Sequence, residues 1–370
     1  MPFVTRKRVA GASDRHPTVC SRLSRDARTR GLAGGSPPDG LFATLFLMRR
    51  VAFALGIVLA GVGAGAHAAP RVAASAEPVL TAPLVSPEAV TVEPHALLWI
   101  YDRLRPQADR AYRIEFPGVD GQTRVAHWQL PEGPGPHPTV LVFPIRAGSH
   151  VVSEALTKAL VNRGYAAVWL ERRRSLFGED DDRAPADLAA FAADLEGFVS
   201  DARRLVGWLA TRPEVDADRL ATAGVSLGGI LAATTLALEP RLQAGFFVMA
   251  GGGLPEILRV SQDGDVVRFR ERAIASGAFA DGEELARKAR PFTDPMDPLT
   301  WADRIDPERV LLVSARFDRV IPEDRTRALW QAMGRPRWLV VPTGHCQIVP
   351  YFWWAAGQGA DHLDRVFATD

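Results

Sequence analysis

The feature that most constrains this chain is the segment Ala223–Gly229, Ala-Gly-Val-Ser-Leu-Gly-Gly, between an apolar run typical of a strand and a run typical of a helix. A G-x-S-x-G pattern at a strand-to-helix junction is typical of a sharp turn that exposes the serine hydroxyl. Glycines at Gly224 and Gly228 would let the strand and the helix cross closely, where a side chain would collide. The pentapeptide alone does not separate a reactive Ser226 from an ordinary turn, because glycine and serine are frequent in both.

Two further polar residues follow predicted strands later in the chain. The apolar run Val310–Ser314 precedes Asp318, and the run Trp338–Val341 precedes His345. Ligands of open α/β sheets bind where the carboxyl ends of the strands meet. A serine hydroxyl needs a base to become a nucleophile, and the base needs a partner that orients it. The order Ser226, Asp318, His345 therefore predicts a nucleophile, an acid and a base at one edge of a sheet.

Other acids and histidines compete for these roles. Asp294 and Asp297 are rival partners for His345, but neither directly follows a predicted strand, so Asp318 is preferred. His150, just beyond the strand that ends at Phe143, is a candidate substrate contact, although a residue at a helix start is the preferred interpretation.

Regular alternation of strands and helices predicts the fold class. Apolar residues recur at steps of three or four from Leu188 to Leu209, which predicts a long amphipathic helix. Alternating elements of this kind favour an α/β fold with a mostly parallel central sheet and helices on both faces. The other predicted strands are 111–116, 123–130, 139–143, 165–170 and 246–250, and the other predicted helices are 95–104, 152–162, 227–238 and a helix near 283–288.

On these motifs the chain resembles the α/β-hydrolase superfamily, from about Ala111 to the C terminus, and in particular its dienelactone-hydrolase-like and serine-esterase branches. The resemblance implies that Ser226 is the nucleophile, that His345 is the general base and then the acid, and that Asp318 orients His345. Dienelactone hydrolase itself uses a cysteine nucleophile. The serine of this chain favours ordinary ester chemistry.

The same resemblance implies an oxyanion hole made of backbone N–H groups. The first donor is Leu227, the residue after the nucleophile. The second comes from the loop after the strand 139–143, where many relatives carry His-Gly and this chain has Pro144, Ile145 and Arg146. Proline has no N–H to donate. We therefore expect the Arg146 N–H as the second donor, with Ile145 as the second choice.

Two segments flank the predicted site. Residues 251–305 interrupt the alternation and, by the resemblance, form a helical cap over the site; a surface helical excursion is the alternative. Arg172–Arg174 and Glu179–Asp182 bracket a loop after the strand that ends at Leu170. We expect this loop to be solvated, with internal ion pairs that contribute little, in preference to recognition of a charged substrate.

Charge is unevenly distributed along the 370 residues. Residues 1–68 hold ten of the 44 basic and three of the 43 acidic residues, so the remainder has a net charge of −6. A mildly acidic body argues against nucleic acid as a partner.

The N-terminal region predicts export. Met48–Arg50 precede an uncharged apolar run from Val51 to Ala66, and an A-x-A pattern ends at Ala68. This is the arrangement of a signal peptide at residues 48–68, cleaved near Ala68, with a retained anchor as the less favoured alternative. Residues 1–47 are then a disordered or mis-called extension, and residues 69–110 a linker and lead-in to an α/β-hydrolase domain at 111–370. The expected location is periplasmic or secreted.

Together these observations predict a serine hydrolase that cleaves a small-molecule carboxylic ester through an acyl-serine intermediate. We expect no cofactor and no metal, because the sequence has neither paired histidines at helical spacing nor clustered cysteines. The alternatives are a serine peptidase of the same fold and a non-catalytic binding module built on that fold.

Overall fold

The sheet that carries the predicted site has nine strands among the residues that the computed structural model describes, which are 90–94, 110–146, 150–172, 177 and 187–369. The strands are β1 (Thr91–Pro94), β2 (Ala111–Pro117), β3 (Thr123–Gln129), β4 (His137–Phe143), β5 (Ala166–Leu170), β6 (Val215–Val225), β7 (Leu242–Val248), β8 (Val310–Ala315) and β9 (Arg337–Val341). Their order across the sheet is β1-β2-β3-β5-β4-β6-β7-β8-β9.

The sheet is antiparallel at one end and parallel over the rest. Strands β1, β2 and β3 pair antiparallel, and β3 also pairs antiparallel with β5. All pairs from β5 through β4, β6, β7 and β8 to β9 are parallel. The pair Phe143↔Gly224 and the pair Ala315↔Val341 show that the parallel strands end along one edge. This mostly parallel sheet confirms the predicted fold class.

Helices cover both faces of the sheet. The described helices are α1 (His150–Val161), α2 (Leu188–Leu209), α3 (Leu227–Leu238), α4 (Leu254–Val260), α5 (Gly264–Ala275), α6 (Gly282–Thr293), α7 (Pro298–Trp301), α8 (Glu323–Ala332) and α9 (Phe352–Thr369). Helices α1 and α9 pack on one face, and α2 to α8 contribute to the core on the other.

Strand residues divide between the two faces in strict alternation. Val140 and Val142 of β4 belong to the core under α1 and α9, whereas Leu141 and Phe143 belong to the opposite core. Because successive side chains of a strand point to opposite faces, a parallel strand covered on both sides is apolar throughout. The central strands are therefore short continuous apolar runs, which is why they could be found in the sequence.

Helix α2 has the bounds that its periodicity predicted. Asp187 caps its N terminus by accepting a hydrogen bond from the Ala190 N–H at 2.9 Å. The recurring apolar residues, such as Leu195 and Leu205, are buried against the sheet. Burial of one stripe on a long helix stabilises such a helix more than its propensity does.

The segment 251–305 lies between β7 and β8 and contains α4, α5, α6 and α7. The sequence predicted a helix near residues 283–288, and α6 spans them. Helix α5 was missed, because its N-terminal residues look like a polar turn; Asp263 caps it through the N–H groups of Asp265 and Val266.

Asp297 holds this segment together from within. It is 3% exposed, and its carboxylate accepts hydrogen bonds from the N–H groups of Gly253, Leu254 and Leu299. Desolvation raises the pKa of Asp297 above its ordinary value. The carboxylate therefore fixes the start of α4 and the start of α7 relative to each other.

The predicted signal peptide, the N-terminal extension and the predicted helix 95–104 lie outside the described residues. Within the part of the chain that the structure describes, no helix is both long and apolar enough to cross a bilayer.

Candidate active site

Ser226 occupies the turn between β6 and α3, at the edge where the parallel strands end. Its backbone has φ 59° and ψ −127°, a conformation that costs a non-glycine residue about 1–3 kcal/mol. The Ser226 N–H donates to the Val248 carbonyl at 2.8 Å, which holds the turn against the neighbouring strand. The strained turn lifts the side chain out of the sheet.

Two glycines make this turn sterically possible. A Cβ on Gly224 would collide with the backbone of Gly228, and a Cβ on Gly228 would collide with the Phe143 carbonyl oxygen. Strand β6, helix α3 and the end of β4 therefore meet with no space for side chains at these two positions. The collisions are the ones that the G-x-S-x-G pattern predicted.

His345 follows β9 and contacts Ser226 directly. Its Nε2 lies 2.9 Å from the Ser226 Oγ, and its Nδ1 lies 2.6 Å from Oδ2 of Asp318. The structure thus brings all three predicted residues into one hydrogen-bonded chain, although 119 residues separate the serine from the histidine in sequence. Such a chain can move a proton from the serine hydroxyl to the imidazole while the carboxylate fixes the ring.

Asp318 is itself held firmly in the turn after β8. Its Oδ1 accepts hydrogen bonds from the N–H groups of Val320 and Ile321, at 2.8 and 2.9 Å. Its side chain is 2% exposed. Because Oδ1 is occupied by the backbone, Oδ2 is presented to His345. The Nδ1–H of His345 thus donates to Asp318, while the carboxylate of the rival Asp297 accepts hydrogen bonds from backbone N–H groups elsewhere.

The loop after β4 lies next to the serine turn. An added Cβ on Gly228 would be 2.8 Å from the Pro144 carbonyl oxygen, so this loop and the first turn of α3 touch. Leu227 is the first residue of α3. Leu227, Ile145 and Arg146, the predicted oxyanion donors, therefore belong to two segments that meet beside Ser226.

The turn between α4 and α5 is connected to both sides of the site. The Arg146 guanidinium pairs with Asp263 and with Asp265, at 3.2 and 2.6 Å. On the other side, the Gln262 N–H donates to the Arg319 carbonyl, one residue beyond Asp318, at 2.8 Å. The segment that was predicted to be a cap therefore touches both the loop after β4 and the turn after β8.

Arg172 has a role that the sequence did not reveal. We expected a solvated loop after β5, but the Arg172 guanidinium is turned inward and donates to the carbonyl oxygens of Pro144, Ile145 and Arg146. Burial, together with the positive charge of Arg146, lowers the pKa of Arg172 to about 9. It therefore remains charged at neutral pH. Nothing in the sequence distinguishes Arg172 from the two arginines that follow it.

His150 begins α1 and is exposed, which agrees with the preferred interpretation of a helix-start residue. Among the described residues, no group of three or more histidine, cysteine or carboxylate side chains has the arrangement of a metal site.

These features define an α/β-hydrolase. Two solved acetyl xylan esterases have similar structures at 18% identity, which supports the fold alone. The one from a Thermoanaerobacterium species has a TM-score of 0.52 and covers 72% of this chain and 87% of its own. The one from a Paenibacillus species has a TM-score of 0.55 and covers 76% and 92%.

Sequence comparison gives one family match and one curated relative. Residues 88–250 match the family described as acetyl xylan esterase (AXE1). A curated relative, 2,6-dihydropseudooxynicotine hydrolase from Paenarthrobacter nicotinovorans, is 28% identical over 141 residues, 38% of this chain and 35% of the relative. The chain thus matches about a third of that relative's length. The family match supports an ester hydrolase, and the structural similarity supports the α/β-hydrolase fold; the dienelactone-hydrolase-like branch stays a prediction.

Proposed function

We propose that this protein hydrolyses small carboxylic esters through an acyl-serine intermediate formed on Ser226. The observation that carries the proposal is the hydrogen-bonded chain Ser226–His345–Asp318, with distances of 2.9 and 2.6 Å. Its position at the carboxyl edge of the sheet, on a strained turn, is the position of the nucleophile in this fold.

In the first half of the reaction, the Ser226 Oγ attacks the ester carbonyl carbon while His345 Nε2 takes the hydroxyl proton. A tetrahedral intermediate forms, with its negative charge on the former carbonyl oxygen. The bond to the alcohol oxygen then breaks, and His345 returns the proton to that leaving group. Asp318 remains ionised and keeps the Nδ1–H of His345 pointed toward itself.

In the second half, a water molecule attacks the acyl-serine carbonyl as His345 takes one of its protons. Collapse of the second tetrahedral intermediate releases the carboxylic acid and restores the Ser226 hydroxyl. The Leu227 N–H and the N–H of Arg146, or of Ile145 as the second choice, hold the oxyanion in both halves. One such donor contributes about 3–4 kcal/mol to transition-state stability in comparable enzymes.

The substrate class that the comparisons favour is an acetyl ester of a carbohydrate. The match of residues 88–250 to the acetyl xylan esterase family supports it. We further propose that residues 251–305 act as a cap that limits the size of the acyl group. The contacts of Gln262 and Asp263 on both sides of Ser226 support this role.

Steady-state hydrolysis tests the proposal. The full chain and its Ser226→Ala variant are assayed with p-nitrophenyl acetate, butyrate and octanoate, with acetylated xylan, and with p-nitroacetanilide as the amide analogue. We expect acetate to be the best acyl group, acetylated xylan to release acetate, and Ser226→Ala to be inactive. Amide cleavage equal to ester cleavage would favour the peptidase alternative, and a folded wild type with no turnover would favour the binding module.

We also propose export, with cleavage near Ala68 of a leader that starts at Met48. The charge and apolar pattern of residues 48–68 supports it. N-terminal sequencing of the protein recovered outside the cytoplasm tests it. A mature chain that begins at or just after Ala69 is expected, and a recovered peptide that spans Met48 would contradict the proposed start.

A further inference from the structure

We propose that Arg172 is a positioning residue for the oxyanion hole, because it holds the loop after β4 in the orientation that presents its N–H groups to the substrate. This inference rests on the proposed function of Ser226, and it adds a residue from the loop after β5 to that site. The loop residues 144–146 and Arg172 are separated by 26 to 28 positions in sequence.

The Arg172 side chain donates three hydrogen bonds to three successive backbone carbonyls. Arg172 Nη1 donates to the Ile145 and Arg146 carbonyl oxygens at 3.2 and 3.1 Å, and Nη2 donates to the Pro144 carbonyl oxygen at 3.1 Å. The planar fork of a guanidinium can reach three successive carbonyls, whereas a lysine ammonium offers a single point charge. The guanidinium also lies over the Phe198 ring, with its carbon 5.3 Å from the ring centroid. Phe198 in turn packs edge-on against Phe143.

Peptide geometry converts these three contacts into an orientation of N–H groups. In a trans peptide unit the C=O and the N–H point in opposite directions. The Pro144 carbonyl shares its unit with the Ile145 N–H, and the Ile145 carbonyl shares its unit with the Arg146 N–H. Drawing both carbonyls toward Arg172 therefore turns both candidate oxyanion donors away from Arg172.

The surroundings of the loop agree with this orientation. On one side the loop touches the first turn of α3, since Gly228 lies against the Phe143 and Pro144 carbonyl oxygens. Within the residues that the structure describes, the Ile145 N–H donates to no protein acceptor. A donor without a protein acceptor is available to the oxygen of a substrate, as an oxyanion hole requires.

The charge of Arg172 adds a second effect. The cation faces the negative ends of the peptide dipoles, so it stabilises the dipoles in the direction that favours an oxyanion at their positive ends. Partial burial strengthens this interaction, because the effective dielectric constant is lower than in water. The nearby Asp194 moderates the loss of charge by raising the pKa of Arg172, against the larger lowering by desolvation.

Two substitutions separate geometry from charge. Arg172→Lys keeps the charge and removes the fork, while Arg172→Met removes both and retains an apolar stem over Phe198. We expect kcat with p-nitrophenyl acetate to fall about 10-fold in the first, less than the loss of one oxyanion donor, and about 100-fold in the second, at the lower end of the range for losing one such donor. KM should stay within about threefold, because the loop acts on the transition state more than on the bound ester.

A matched control is Arg203→Met. Arg203 is 5% exposed on α2, and its guanidinium lies 3.4 Å from Glu239, beyond the C terminus of α3. A helix of 12 residues places that pair about 18 Å from Ser226. This variant removes a buried arginine without touching the site, so it should lose thermal stability and keep kcat.

The inhibition constant of a transition-state analogue distinguishes a positioning role of Arg172 from a merely structural one. A trifluoromethyl ketone forms a tetrahedral oxyanion on Ser226, so its inhibition constant should rise in parallel with the loss of kcat/KM in the Arg172 variants and stay unchanged in Arg203→Met. An unchanged kcat in Arg172→Met would overturn the inference. So would a fall in kcat that merely follows the fall in Tm, in the Arg172 variants and in Arg203→Met alike. If Arg172→Met does not fold, Arg172→Lys alone decides. An inactive wild type would instead refute the proposed function.

Discussion

Replacement of Asp318 by asparagine probes the chemical logic of the site with the smallest change in shape. The carboxylate uses both oxygens as acceptors, Oδ1 for the N–H groups of Val320 and Ile321 and Oδ2 for His345. An amide has only one oxygen to offer. It must therefore place its NH2 group either against two backbone N–H groups or against His345 Nδ1.

The structure decides between these orientations. Turning the NH2 group toward Val320 and Ile321 would set donor against donor and lose two hydrogen bonds to the amide oxygen, each contributing about 0.5–1.5 kcal/mol. The amide oxygen will therefore stay on the backbone, and the NH2 group will donate to His345 Nδ1. The ring then carries its proton on Nε2, which donates to Ser226 and cannot accept the hydroxyl proton. We expect kcat to fall by about 10³–10⁴, or about 4–5.5 kcal/mol in activation free energy.

The assay is kcat for p-nitrophenyl acetate, combined with ¹⁵N-histidine NMR to identify the tautomer of His345. Asp297→Asn is the matched control, because Asp297 is also buried and accepts hydrogen bonds from three backbone N–H groups, against two for Asp318, but contacts no histidine. It should lose about 1–3 kcal/mol of folding stability and keep kcat within about threefold. A folded Asp318→Asn variant with kcat within tenfold of wild type would refute the reasoning.

Two further outcomes follow from other parts of the molecule. Gly224→Ala should lower both Tm and kcat, the latter at least about tenfold, because its Cβ would collide with the Gly228 backbone. The added Cβ of Gly357→Ala in α9 meets open space, so this variant should gain about 0.4–1 kcal/mol of folding stability. Equal stability of the two variants would contradict this expectation. Burial lowers the pKa of His362 below 6.5, so the unfolded chain binds that proton more tightly and stability should fall as pH drops below about 6.5. His362→Gln should reduce this slope in urea titrations between pH 7 and pH 5, and an unchanged slope would show that other groups cause it.

The bounds of a helix or strand could be predicted from the sequence where local interactions determine them. Helices α2 and α3 have the predicted bounds. Helix α2 could be predicted from its apolar periodicity, whereas α3 could be predicted because an apolar run follows the G-x-S-x-G turn. Strand β7 begins at Leu242 rather than at residue 246, since pairing with β6 extends it through Gln243 and Gly245, which carry no apolar signal. Helix α5 was missed because its charged first turn, capped by Asp263, has the composition of a loop.

The residues of the candidate site likewise include some that the sequence predicted and one that it did not. The sequence predicted Ser226, Asp318 and His345 because each follows the end of a strand. The carboxyl ends of parallel strands lie at the same edge of the sheet, so these residues come close together. The role of Arg172 depends on contacts with carbonyl groups more than 25 residues away. Backbone carbonyls are present at every position, so no sequence pattern marks the ones that a guanidinium will bind.

Labelling with a fluorophosphonate tests whether Ser226 is an activated nucleophile, since this reagent reacts with an activated serine and does not require knowledge of the substrate. The full chain, Ser226→Ala and Asp318→Asn are treated in parallel, and the adduct is located by mass spectrometry. We expect a single adduct on Ser226 in the wild type, none in Ser226→Ala, and strongly slowed labelling in Asp318→Asn. A folded wild type that stays unlabelled, or an adduct on another residue, would contradict this expectation.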